Sequence, residues 1–518
     1  MIMASNKGRP TFWLVGNQLP YFSRILKMIP KDTAILMIES SQRGSQFRYH
    51  KKKLVLIYSA MRHMAEWLRG ADWDVHYVPL GDKETFNGAI EKHLAAMNSK
   101  DIHALIPADA SQESAMKKIG EDLDIRYIWH PNDLFLIPRS EFSEWAGGKK
   151  VLLLENFYRM MRKKFGILLR SDGEPEGGIW NYDSENRLPF SNKIKPVRSF
   201  LPEPDDITRQ VMEEVEELFP DHPGVTTGFN YPITPEQAEA VLDDFLLHRL
   251  DQFGPYEDVM IQSEPYVYHS LLSSSLNIGL LHPQEVIRRV EELFRKGKVK
   301  LPSAEGLIRQ ILGWREFIHG IYWLRMPEMA QKNFLEAKRP LPDWMYTGET
   351  RMNCLRHVIG QTVDLAYAHH IQRLMVMANF MTLAGIDPGE GNRWFMEMFI
   401  DAYEWVMVPN VYGMGLYADG GGMSTKPYIS SGNYINKMSN YCSSCEYDVK
   451  KKTGEDACPF NYLYWDFLDR HTDKLRSNSR MAIPYAALGK KESSELKEIR
   501  SSSESFLRDL RTKKSRQI

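Results

Sequence analysis

Hydrophobic and polar positions follow two rhythms along the chain, and the change falls near residue 236. Between residues 11 and 130, short apolar runs alternate with amphipathic stretches. TFWLVG (11–16), TAILMIE (33–39), DVHYVPL (74–80), HALIPA (103–108) and IRYIWH (125–130) are β-branched or aromatic-rich and end at polar, Gly or Pro positions, so they predict strands. KLVLIYSAMRHMAEWLRG (53–70), ETFNGAIEKHLAAMN (84–98) and SAMKKIGEDL (114–123) place apolar residues three and four apart and predict helices. Strand–helix alternation implies a parallel sheet with crossover helices, whose ligands sit beyond the carboxyl ends of the strands. No GxGxxG follows the first strand, which argues against a standard dinucleotide site there.

Residues 140–235 are mixed, with one basic helical stretch and then Gly, Pro, Asp and Glu between 172 and 205. They read as a long connector over the surface. From 236 onward the spacing is helical throughout. The organisation is therefore an α/β domain (1–139), a connector (140–235) and a helical domain (236–518). The last ~25 residues are rich in Ser, Lys and Arg and read as a frayed end.

Composition narrows the class. No apolar run approaches the roughly 20 residues of a membrane span, and the polar N-terminus lacks the apolar stretch of a signal peptide. A soluble protein of a reducing cytoplasm is expected. Net charge is −1, so any nucleic-acid contact must be a local patch. YRMMRKKFGILLR (158–170) is one candidate, with Arg159, Arg162, Lys163 and Lys164 within two helical turns. A solvated charged face explains it equally well.

Four cysteines in 518 residues do not make a disulfide scaffold. Cys442, Cys445 and Cys458 have the spacing C-x2-C-x12-C, Pro459 follows the last, and Cys354 lies apart. Four thiolates complete the shell of a zinc ion or of a cubane cluster. No His stands at zinc-ligand spacing inside 442–458, and Cys-Pro leans toward iron–sulfur. Four unrelated core thiols are the plain alternative.

Three segments of the helical half carry chemistry. In HSLLSSSLNIGLL (269–281) three hydroxyls precede an apolar helical run, a start that suits a pyrophosphate or an ordinary N-cap. IRQILGWREFIHG (308–320) holds Trp314, Arg315 and Glu316. YAHHIQRLMVMANF (367–380) places His370 and Arg373 on one helical face, and FIDAYEWVMVPNVYGMG (399–415) supplies Asp401 as a partner for a buried arginine. In this order the segments resemble the photolyase–cryptochrome family over nearly the whole chain. The four cysteines, GGIWNYDSENR (177–187) and PYISSGNYINKMS (427–439) resemble its bacterial iron–sulfur branch.

The resemblance implies a photolyase-type Rossmann-like α/β domain joined to a large all-α FAD-binding domain, and light-driven repair of (6-4) pyrimidine photoproducts in UV-damaged DNA. It assigns Ser273, Ser274, Ser275 and Leu276 to the FAD phosphates, Arg315 to the flavin pocket, Arg373 and Asp401 to an ion pair near the isoalloxazine, and Asn410 to flavin N5. Cys354, Cys442, Cys445 and Cys458 match the ligands of a [4Fe–4S] cluster. Trp394 matches the ring nearest the flavin in a photoreduction chain. Phe395 follows it and has no phenolic proton to lose, leaving Tyr346, Trp344 and Tyr403 as candidates for the onward step. His370 takes the place of the proton-active histidine, with Tyr428, Tyr434 and Gln310 in the lesion pocket. The branch further implies a 6,7-dimethyl-8-ribityllumazine antenna, for which Asn17, Gln18 and Glu39 stand at strand ends. Mg2+ at Asp183 and Glu185 is also implied, a solvated acidic loop being the alternative. A monomer that touches no membrane is expected. The competing readings are a cryptochrome-like photoreceptor, a cyclobutane-dimer photolyase and a zinc-stabilised DNA-binding protein.

Overall fold

A computed structural model of the chain describes residues 8–81 and 85–512. Residue 84, where the second helical spacing begins, and residues 513–518 of the tail lie outside the described residues. Five strands, β1 (Thr11–Leu14), β2 (Ala34–Ile38), β3 (Val75–Val78), β4 (Asp101–Leu105) and β5 (Arg126–His130), form one parallel sheet in the order β3-β2-β1-β4-β5. The register sets Thr11 opposite both Ala34 and Ile102, Ile35 opposite Val75, and Asp101 opposite Arg126. All five strands and the three crossover helices, α1 (Lys51–Gly70), α2 (Phe86–Met97) and α3 (Ala110–Leu123), stand where the hydrophobic spacing puts them.

Side-chain alternation divides the sheet. Trp13, Leu36, Ile102 and Ala104 pack on Ile90 and Leu94 of α2 and Met116 and Ile119 of α3. Phe12, Leu14, Ile35 and Met37 face the other way, into a core that runs through α1 into the helical half. The lysines opening α1 look like a solvated run in sequence, yet Lys51, Lys52 and Lys53 are all buried. Each ammonium meets an oxygen: Lys51 a carboxylate of Glu216, Lys52 the carbonyl of Thr227 at 2.8 Å, and Lys53 the carbonyl of Ala402. The start of α1 thus ties the sheet to both later regions.

Residues 140–235 are not simply a surface connector. They hold the helices Arg139–Ala146 (all but its first residue), Leu154–Phe165 and Asp206–Leu218. The last of these packs on α1 and buries Val211 and Val215 completely. From Pro235 onward the described residues are helical or in connecting turns. Three stretches are π-helical: Arg309–Arg315, Gln372–Ala378 and Pro409–Gly415.

The frayed end expected of the last ~25 residues is corrected for 493–512. The helix Ser493–Thr512 lies on Pro459–Arg470 and buries Ile499, Ser503 and Leu507. An apolar stripe at three-to-four spacing, hidden among Ser, Lys and Arg, supplies that face. No described helix is long and apolar enough to cross a membrane.

Candidate functional site

Asp401 is the knot of the helical half. Arg373 donates to it through both terminal nitrogens, at 2.9 and 3.1 Å, and Ser273 Oγ donates to Oδ2 at 2.7 Å. Asn277 Nδ2 donates to the Asp401 carbonyl at 3.0 Å. Burial pushes the Asp401 carboxyl up, but the Arg373 charge and the donors from Arg373 and Ser273 outweigh it and hold it below the usual carboxylate range. Arg373 in turn lies 4.1 Å over the Phe399 ring. Sequence pairing of Arg373 with Asp401 was legible. The Ser273 contact, which brings the triple-serine helix Ser273–Ile278 to the same carboxylate, was not.

Around this knot polar atoms lack partners. The hydroxyls of Ser274 and Ser275 and both ring nitrogens of His369 are buried without a hydrogen bond. Buried polar groups seldom stay unsatisfied, so serine hydroxyls beside Leu276 at a helix start fit a phosphorylated cofactor. His369 stacks on His269 at 4.3 Å with 14° between planes. Its neighbour His370 has part of its surface open to solvent, and the rest is packed in protein beside Arg373. Burial, reinforced by Arg373, lowers the His370 pKa to about 4, so the ring is neutral at neutral pH.

The other lesion-pocket candidates form a second group. Gln310 Nε2 donates to Glu257 Oε1 at 2.9 Å, and Tyr434 OH donates to Asp258 Oδ2 at 3.2 Å. Tyr428 and Tyr434 both feel the charge of Arg187. Burial pushes the Glu257 carboxyl up to about 8, opposed by Arg309. Glu257 and Asp258 carry no sequence signal, since two acids in a turn read as solvated. Asp183 does not stand free for a cation. Arg309 NH2 donates to it at 3.1 Å, Arg187 pairs with it, and Glu185 is exposed.

Arg315 belongs to a different contact set. Its NH1 donates to the Leu134 carbonyl at 2.7 Å and to Glu316 at 2.9 Å, while its guanidinium lies over Phe135 and Trp405. Its Nε and NH2 have no partner. Asn410 Nδ2 donates to the Val406 carbonyl at 2.7 Å. Gln310, Arg315, Arg373 and Asn410 all stand on the three π-helical stretches. Such departures from α geometry concentrate at functional sites.

The four cysteines line one pocket with Met352, Gly432, Tyr441, Tyr447 and Phe460, among others. Cys354 opens the helix Asn353–Leu365, Cys442 sits in the turn Tyr441–Ser444, and Cys458 caps the helix begun by Pro459. Pro at a helix start explains the Cys-Pro pair locally. Burial first, then the neighbouring thiols, push Cys442 up to about 11 and Cys458 up to about 12, and Cys354 well above the usual thiol range. Four thiols gathered in an apolar pocket suit a group whose positive charge draws off their protons. Among the described residues no three His, Cys, Asp or Glu side chains converge as a single ion's shell would.

At the sheet, Glu39 lines a pocket with Ser40, Ser41, Val78, Thr85 and Phe86 at the carboxyl ends of β2 and β3. Its carboxylate is already bound by Arg62, Tyr77 and the Leu80 amide. Asn17 and Gln18 do not line that pocket. Gln112 links them at 2.9 and 3.1 Å, and Gln18 Nε2 donates to the Ile106 carbonyl. Trp394 is fully buried, and its indole N–H donates to the Met345 carbonyl at 2.8 Å.

Comparison with known proteins agrees with this architecture. The family described as "Deoxyribodipyrimidine photo-lyase-related protein" matches residues 12–231. The chain is 42% identical over 501 residues to the (6-4) photolyase of Agrobacterium fabrum, covering 96% of this chain and 99% of that protein. In fold it is similar to a bacterial class III photolyase from Agrobacterium tumefaciens (TM-score 0.56, 15% identity, 95% of this chain and 100% of that one). It is also similar to a Synechocystis cryptochrome (TM-score 0.55, 14% identity, 97% and 99%). The end-to-end identity with a photolyase, on a sheet and helical half of the same fold, means that this chain belongs to the photolyase–cryptochrome family.

Proposed function

We propose that the chain is a DNA photolyase that repairs (6-4) pyrimidine photoproducts in UV-damaged DNA under light. The observation that carries this reading is the 42% identity over 96% of the chain to a protein named (6-4) photolyase. His370 beside Arg373, and Gln310 and Tyr434 held by the adjacent acids Glu257 and Asp258, are consistent with it.

Ser273, Ser274, Ser275 and Leu276 would hold the phosphates of FAD, with Arg373 and Asp401 beside its ring system and Arg315 and Asn410 completing the pocket. Bound and reduced, FAD supplies a one-electron donor when excited by light. The protein's part is to bind, orient and manage protons. A lesion has to leave the base stack to enter, and a damaged base does so at lower cost. The neutral His370 ring can accept a hydrogen bond from the hydroxyl that must migrate between the bases. It becomes a proton donor once the negative charge of the bound DNA favours the imidazolium. Gln310, fixed by Glu257, and Tyr434, fixed by Asp258, would help orient the lesion.

Cys354, Cys442, Cys445 and Cys458 would hold a [4Fe–4S] cluster that cross-links the helix Asn353–Leu365 to the 441–459 segment. The pocket at Glu39 is the candidate site for the ribityllumazine antenna. Mg2+ is the least supported cofactor, because Asp183 is answered by two arginines. Light-dependent restoration of (6-4)-damaged oligonucleotides by the reduced protein tests the reading. We expect restoration by the wild type and none by His370→Ala with FAD still bound. Normal flavin photoreduction without any restoration would leave a photoreceptor, and restoration confined to cyclobutane dimers would change the lesion class.

A further inference from the structure

Of the three candidates for the step beyond Trp394, the contacts single out one. Tyr403 is buried and its hydroxyl has no partner, so nothing there takes its proton. Trp344 packs on Phe380 at 5.2 Å and carries an indole in place of a phenol. Tyr346 is only partly buried, and its hydroxyl donates to Glu397 Oε2 at 2.7 Å. It is also one peptide link from Trp394, whose indole N–H is held by the Met345 carbonyl. Phe395 packs edge-on against Trp394 at 5.1 Å but offers no phenol.

We propose that Tyr346 and Glu397 form a proton-coupled redox pair: Tyr346 is the electron donor to oxidised Trp394, and Glu397 is the base that takes its phenolic proton. The proposal rests on the flavin-binding reading above. Trp394 gives one electron to the light-excited oxidised flavin and is left as a radical cation. Fully buried, with its N–H bound to a carbonyl, it has no base to release a proton to and stays a strong oxidant. Tyr346 then gives one electron to Trp394 while its O–H bond breaks and the proton passes to Glu397 Oε2. The products are neutral Trp394, a neutral tyrosyl radical and a carboxylic acid. An external thiolate returns the electron, becoming a thiyl radical, and Glu397 returns the proton. Without the carboxylate, oxidised tyrosine would remain a cation that returns its hole to Trp394. Glu397 is 4% exposed, and its backbone carbonyl separately accepts the His50 amide at 2.7 Å, so a side-chain change leaves that joint in place.

The test uses full-length protein loaded with oxidised flavin, with thiol present. Tyr346→Phe and Glu397→Gln should each lower the yield of light-driven flavin reduction roughly tenfold or more, as loss of a positioned proton acceptor does. Glu397→Asp should recover part of it. Electron paramagnetic resonance should show a tyrosyl radical in the wild type that Tyr346→Phe removes. Light-minus-dark infrared spectra of the wild type should show a new carboxylic-acid C=O band, a readout that needs no variant to fold. Wild-type yield in Glu397→Gln, or absence of that band, overturns the proposal. Trp394→Phe separates the two readings. If it abolishes photoreduction while Glu397→Gln does not, the pair alone is wrong. If it leaves photoreduction intact, the route through Trp394 fails and the proposal fails with it.

Discussion

The knot at Asp401 and the pocket of the four cysteines lie in the same helical half, but they are finished to different degrees. At Asp401 every charge is answered inside the chain: a bidentate arginine and a serine hydroxyl keep the carboxylate ionised despite burial. At the cysteines nothing answers. Burial and mutual repulsion push the thiols upward, and no cationic side chain lines the pocket. The first site is built to hold its shape alone and receive a ligand in the gaps left by Ser274, Ser275 and His369. The second draws its stability from whatever binds the sulfurs. Paired charges resist loss of a ligand, whereas a thiol shell in an apolar pocket does not.

The largest effect should come from breaking the second site. Cys458→Ser removes one thiolate and leaves a hydroxyl in the pocket. Because structural metal binding amounts to folding free energy on the order of 10 kcal/mol, we expect loss of the proposed cluster's iron and sulfide and a large drop in melting temperature. Metal analysis with a thermal melt checks this. A variant that loses its iron and melts like the wild type would make the pocket dispensable for stability.

Next comes the first site. Asp401→Asn leaves Arg373 buried without its countercharge, a loss of about 3–5 kcal/mol for a broken buried pair, and frees Ser273 from its acceptor. Flavin retention should fall together with the denaturation midpoint, whereas the iron content of the Asp401→Asn protein should stay at the wild-type level. Loss of both cofactors at once would show that the two sites are coupled.

Sequence carried these two sites unequally. The cysteine set was legible because ligand spacing and Cys-Pro are local signals. Arg373–Asp401 was legible because a buried arginine requires a partner. What stayed hidden depends on contacts distant in sequence. Ser273 reaches Asp401, Gln310 is fixed by Glu257, and the lysines of α1 are buried against carbonyls nearly 180 and 350 residues away. The π-helical stretches left no trace in the hydrophobic period. The final helix was masked by its composition, since only Leu496, Ile499, Phe506, Leu507 and Leu510 interrupt its polar residues. The sheet was read element by element because its side chains alternate against two separate cores.

Acid provides a gentler way to separate the sites. His370 is lowered to about 4 and His269 to about 3, both chiefly by burial, and His369 well below its usual range. Histidine in the unfolded chain titrates near 6.5, so as pH falls below that value the unfolded state takes up protons that the folded state refuses. The stability these neutral rings contribute is fully present above about 6.5 and declines toward pH 4. Urea midpoints between pH 7.5 and 4.5 should fall with pH, and less steeply in His370→Ala. A flat profile would mean that the three rings take up protons in the folded protein as readily as in the unfolded chain.

The smallest change sharpens the cysteine side. A methyl group at Gly432 would come 2.8 Å from Cys458 Sγ, with Val449 and Asn461 at 3.1 and 3.2 Å. Gly432 lies in the first turn of the helix Gly432–Met438 with no positive φ, so the requirement for glycine is space and not backbone freedom. Alanine there should cost about 1–3 kcal/mol of overpacking. It should also displace one thiolate slightly and shift the visible absorption of a bound cluster without abolishing it. An unchanged spectrum and melting curve would mean that Cys458 has room to move, and that the tight approach at Gly432 does not fix the sulfur in place.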